Sequence, residues 1–139
     1  IVDLQPEEDT ELLSEINSTN LDLIRLITPT TNENRLKTIL KHSSGFLYYV
    51  TITGITGQHS ANLDELQTSI NQIRKHTSLP IVAGFGIKNQ DHIKEICRFC
   101  DGAVVGSSIV KIIEDNIDNK KTTISLVSEF VKKLKEGTL

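Results

Sequence analysis

Three short apolar runs in this chain each stop at glycine and give way to a segment of helical character. The first, Phe46 to Thr53, is β-branched and aromatic and enters a stretch holding Gly54 and Gly57, with the hydroxyls of Thr51, Thr53 and Thr56 beside them. The second, Leu79 to Ala83, runs into Gly84-Phe85-Gly86, and the third, Gly102 to Val105, into Gly106-Ser107-Ser108. A repeated strand–glycine–helix unit constrains the fold sharply, because strands joined by helical crossovers run parallel and their C-terminal ends fall on one side of the sheet. Bare backbone at three such ends offers N–H groups to an anion. The pattern reads as a phosphate site.

The remaining segments supply the crossovers. Ile1–Leu4 reads as a strand stub, and a helix follows with Pro6 in its first turn, Glu7, Glu8 and Asp9 at the positive end of its dipole, and Leu12, Leu13 and Ile16 as its buried stripe. Asn20 closes it. A strand within Leu21–Ile27 stops at Thr28-Pro29, and Thr30 with Glu33 forms a capping-box pattern for a helix to about His42. Gln58–Ala61 reads as a polar loop, Asn62 with Glu65 as a weaker cap, and Leu63, Leu66, Ile70 and Ile73 as the stripe of a third helix. A fourth starts near Asn89 and buries Ile93, Ile96 and Cys97. Ser107–Ile113 is a short helix opening directly at a strand end, Asp118–Thr122 a loop, and Ile124, Val127, Phe130, Val131 and Leu134 the inner face of the last helix.

Composition limits the function classes. With 139 residues, 37% apolar and 24% charged, the chain has enough material for one modest core, and its net charge of −3 argues against an electrostatic nucleic-acid binder. No apolar run approaches the roughly 20 residues that span a bilayer, so a cytoplasmic protein without membrane attachment is expected. The chain has no Met and begins at an apolar stub, which points to a part of a longer protein. Cys97 and Cys100 have redox or zinc spacing, but they sit at a helix end with no second ligand pair, so reduced structural thiols and no metal are expected. The four histidines are scattered over helix ends and loops and read as solvated.

Parallel strands with helical crossovers make either an open doubly wound sheet or a (βα)8 barrel. A dinucleotide fingerprint is absent, since Gly84-Phe85-Gly86 lacks the third glycine and the ribose-binding acid at the required offsets. Glycines on successive strand ends, with a short extra helix after the last, favour the barrel.

Six motifs, in order along the whole chain, then resemble the tryptophan synthase α-subunit family: Ile1–Glu8, Leu26–Thr31, Ser44–Val50, Thr53–Gly57, Ala83–Ile87 and Asp101–Val110. The resemblance implies a (βα)8 TIM barrel of which residues 1–139 supply about the last half of a single domain, from the strand 4 stub to helix 8. It implies a lyase that cleaves indole-3-glycerol phosphate to indole and glyceraldehyde 3-phosphate, with indole passing to a β subunit in an α2β2 assembly. It places substrate phosphate against Gly57, Gly86, Gly106 and Ser107, makes Phe85 an apolar wall, sets the Tyr48 hydroxyl beside the catalytic carboxylate, and makes Thr56 the loop threonine that bonds the second acid. The catalytic Glu and Asp of the family fall on strand 2 and the loop after it, before Ile1, so this chain alone is expected to be inactive. No cofactor is implied; pyridoxal phosphate belongs to the β subunit.

A barrel of this kind needs roughly 250 residues. Half of one exposes two sheet edges, so the missing N-terminal half or a second copy is an expected partner. Without the resemblance, Tyr48 and Tyr49 remain equivalent candidates, sent to opposite faces by strand alternation. Asp3, at a strand end, is a site candidate or a loop cap, and Asp101, before its strand, belongs to the stability face. The competing functions are another phosphate-binding barrel of amino-acid or thiamine biosynthesis, and a non-catalytic half-barrel module.

Overall fold

The computed structural model describes residues 1–2, 4–51, 59–84 and 86–138. The elements run α1 (Thr10–Asn17), β1 (Arg25–Ile27), α2 (Glu33–Leu40), β2 (Leu47–Val50), α3 (His59–Ile73), β3 (Ile81–Gly84), α4 (Gln90–Ile96), β4 (Gly102–Val104), α5 (Ser107–Asp115) and α6 (Lys120–Glu136). All strand pairs are parallel, in the order β1-β2-β3-β4, so each crossover moves one strand along in the same direction. A doubly wound sheet reverses its order at a switch point. These strands do not reverse, as in a barrel.

The two faces of the sheet differ. Ile27, Leu47, Tyr49, Ile81 and Ala83 point toward the helices and join Leu36, Ile39, Leu66, Ile70, Ile73, Ile93 and Ile96 in one core. On the other face, Leu26, Tyr48, Val50, Val82 and Gly84 are only half buried. Side-chain alternation therefore sends Tyr49 into the helix layer and Tyr48 to the open face.

Several boundaries depart from the sequence expectations for local reasons. Ile1–Leu4 forms no strand among the described residues; Leu4 instead accepts a hydrogen bond through its carbonyl from Arg25 Nη1 at 3.2 Å. Asp3 lies outside the described residues. Helix α1 starts only at Thr10, because the Asp9 carboxylate is drawn into an ion pair with Arg25, both side chains being buried, and makes no cap bond. It ends at Asn17 rather than Asn20, and its stripe of Leu12, Leu13 and Ile16 is half buried. Asn32, not Thr30, caps α2, accepting from Arg35 N at 2.9 Å, while the Thr30 hydroxyl is bonded to that of Thr28. Helix α3 begins at His59, inside the stretch expected as loop; no Gly or Pro stands between Gln58 and Pro80 to stop it. Helix α6 likewise begins at Lys120, capped by Asn119, which accepts from Thr122 N at 3.1 Å. Only Leu134 of its inner face is buried, with Val127 and Phe130 half buried and Ile124 and Val131 exposed.

Candidate functional site

The C-terminal ends of β2, β3 and β4 and the start of α5 lie at one end of the sheet. Tyr48 pairs with Val82 in register, yet its ring leans two residues further along β3, and a Cβ built on Gly84 would lie 2.5 Å from Tyr48 Oη. The hydroxyl is thereby carried from mid-strand to the strand end. Glycine at position 84 makes the room. Beside it, Thr51 Oγ1 donates to the Gly84 carbonyl at 2.7 Å, joining the end of β2 to that of β3.

Beyond β3 the backbone turns at Gly86 with φ of 58°, a left-handed conformation that glycine adopts without a Cβ penalty. Ile87 then buries its side chain, and its carbonyl accepts a hydrogen bond of 2.6 Å from Ser108 Oγ in the first turn of α5. Gly106 stands at the N-cap of α5; among the described residues no side chain caps the helix and no atom lies within 4 Å of an added Cβ. The first turn of a helix has N–H groups without partners inside the helix, and the dipole there favours negative charge. Exposed Ser107 adds a hydroxyl. The Gly86 turn and the start of α5 thus bring bare backbone and a serine hydroxyl together at one end of the sheet.

Of the candidate residues in the sequence, Tyr48, Gly86, Gly106 and Ser107 all fall at this end of the sheet. Thr56, Gly57 and Phe85 lie outside the described residues. Sequence reasoning misses the parts that Gly84, Thr51 and Ser108 play. The lean of one ring along a neighbouring strand, and a hydroxyl bond between residues 87 and 108, depend on register and are not written in local sequence.

The other chemistry-bearing groups sit elsewhere. Asp101 Oδ2 accepts from Arg74 Nη2 and Ile81 N, each at 2.8 Å, pinning the start of β3 at the opposite end of the sheet from the glycines. That is a structural role. Both cysteines are free thiols; burial pushes the Cys100 thiol up to about 12 and raises that of Cys97. A cavity of about 310 Å³ lies between α2 and α3 on the helix side of the sheet, floored by Tyr49. Several of its polar groups are already engaged: Thr28 with Thr31, Tyr49 with Ser69, Glu33 with Lys37, and Gln72 with Lys75. Burial raises the Tyr49 hydroxyl above its usual range, and the Ser69 bond partly offsets this. No described helix is long and apolar enough to cross a membrane.

A parallel sheet in unbroken sequential order, with helices on one face and glycine-lined strand ends, is half of a (βα)8 barrel. Comparison with known proteins specifies which barrel. The family model for the tryptophan synthase alpha chain matches residues 1–139, and the protein belongs to that family. The structure superposes on tryptophan synthase subunit alpha from Campylobacter jejuni with a TM-score of 0.81 at 36% identity, covering 94% of this chain and 52% of that one. For the subunit from Legionella pneumophila the TM-score is 0.83 at 28% identity, covering 99% and 50%. A chain of the a2b2 complex from Pyrococcus furiosus gives 0.81 at 25%, covering 98% and 54%. The chain thus spans about half the length of the solved relatives it matches.

Proposed function

We propose that these residues form the phosphate-binding half of a tryptophan synthase α subunit, a lyase that cleaves indole-3-glycerol phosphate to indole and glyceraldehyde 3-phosphate. The observation that carries the reading is the conjunction of a family match over residues 1–139 with the bare backbone that Gly86, Gly106 and Ser107 bring to one end of the sheet. The substrate phosphate rests against these groups and Gly57, with Phe85 walling the substrate. A backbone cradle binds a dianion but transfers no proton, and acid–base catalysis needs titrating groups within hydrogen-bond reach. The Glu and Asp of the family, on its second strand and the loop after it, supply that chemistry. Tyr48, with its hydroxyl at the end of β3, orients the first carboxylate, and Thr56 bonds the second.

Proton transfer at the indole ring and the glycerol hydroxyl calls on no metal or prosthetic group in this subunit. Pyridoxal phosphate serves the β subunit, which receives indole; the a2b2 assembly of the Pyrococcus furiosus relative supports a β subunit as partner. The other half of such a barrel, or a second copy of this chain, is the further partner.

The test is a titration of the 15N-labelled chain with glycerol 3-phosphate. Saturable shifts of the Gly86, Gly106, Ser107 and Ser108 amides are expected. Shifts that are absent, or spread evenly over the surface, overturn the reading.

A further inference from the structure

The two described walls of the proposed phosphate site come from segments some distance apart in sequence: the turn at Gly86, and the first turn of α5 at Gly106–Ser108. A backbone anion site works only when its N–H groups hold one spacing before the ligand arrives, because ordering them on binding costs affinity. One side chain joins the walls. Ser108 Oγ donates to the Ile87 carbonyl at 2.6 Å, and Ile87 is itself anchored, 1% exposed, in the core.

Serine at a helix start commonly turns its hydroxyl onto the N–H groups of its own helix. Here the hydroxyl points across to another loop, and among the described residues no side chain caps α5. That choice does two things. It ties the Gly86 turn to α5, and it leaves the Ser107 and Ser108 N–H groups for a ligand, the Ile109 N–H being bonded already to the Gly106 carbonyl at 2.9 Å. We propose that Ser108 is a positioning residue of the phosphate cradle, acting through the Ile87 carbonyl to fix the spacing between the Gly86 turn and the α5 N-terminus. This rests on the phosphate reading above and adds a residue whose side chain touches no part of the ligand.

The experiment is a binding titration of the full 139-residue chain with glycerol 3-phosphate, read by amide shifts and calorimetry. Ser108→Ala is expected to raise Kd by about fivefold or more, the scale of one lost hydrogen bond. Ser108→Thr and Ser108→Val form a second comparison, matched in shape and differing in the hydroxyl. Thr is expected to bind within about twofold of the parent and Val to be weakened like Ala. Asp101→Asn is the control: it loosens a pin at the far end of the sheet and is expected to lower stability with Kd unchanged. Equal binding by the Thr and Val variants, or an equal loss with Asp101→Asn, overturns the positioning role alone. Failure of the unmodified chain to bind overturns the phosphate reading and this proposal with it.

Discussion

Tyr48 and Tyr49 are neighbours with opposite fates. Alternation along β2 makes their separation legible in the sequence, while the pairing of Tyr48 with Gly84 is not, because an offset of two residues between strands is set by ring rotamer and register together. Gly84→Ala is expected to force the Tyr48 ring aside and to destabilise the chain by about 1–3 kcal/mol, as overpacking does. Tyr48→Phe removes the atom nearest the new methyl group, so the double variant should recover part of the loss. Urea unfolding of the four proteins in a double-mutant cycle measures this, and strict additivity would show that the two residues do not meet. The Cys100 thiol gives a second test. Its folded pKa, near 12, stands above the ordinary value of 9.0, so the unfolded chain releases its proton first. Stability is then unaffected below pH 9 and falls as pH rises from 9 toward 12, with a limiting slope of about 1.4 kcal/mol per pH unit for one proton. Comparing unfolding midpoints of the parent and Cys100→Ala across this range isolates the contribution, and native Cys100 should resist thiol reagents that label it fully in urea.

Whole elements are easier to read than their ends. Every helix follows from its apolar spacing, but the row Thr28, Thr30, Thr31 and Asn32 offers four capping side chains, and only the path of the chain out of β1 selects Asn32. At α4 the sequence places the helix start near Asn89, and Asn89 caps it, accepting from His92 N at 3.0 Å. Asn89→Ala is expected to cost about 1 kcal/mol in urea unfolding, the usual value of an N-cap. The start of α1 departs from its local pattern for a long-range reason: Asp9 answers a buried Arg25 on β1 rather than its own helix. Burial pushes the Arg25 guanidinium below its usual range, so the charge is held there at a cost that its partner must offset. Asp9→Ala takes from that buried cation its ion-pair partner and is expected to destabilise by about 3–5 kcal/mol, releasing residues 4–9 from β1. Hydrogen exchange that accelerates in α1 ahead of the rest of the chain would locate the loss; a change within about 0.5 kcal/mol would show that the pair carries no weight.

The order of the sheet is legible because glycines on three successive strand ends favour a barrel path over a doubly wound one. What covers the sheet is not, because the residues facing the open side carry the same apolar signal as those facing the helices. In the structure β1 and β4 each pair on one side only among the described strands, and Gly102, Ala103 and Val104 are all partly exposed. The stripe on α6 shows the same mismatch. Its apolar residues cover a broad face, of which Val127, Phe130 and Leu134 pack inward while Ile124 and Val131, one heptad apart, stay 57% and 44% exposed. Val110 and Ile113 on α5 and Ile117 beyond it are exposed as well. Sheet edges and contiguous apolar surface favour association, since pairing them removes unbonded backbone groups and apolar area from water. The 139-residue chain at micromolar concentration is therefore expected to sediment above its 15.5 kDa monomer mass. Ile124→Lys with Val131→Glu should shift it toward monomer with a small effect on unfolding, because both side chains are largely solvated within one copy. A monodisperse 15.5 kDa species across a hundredfold range of concentration would mean that these edges and this face are tolerated bare.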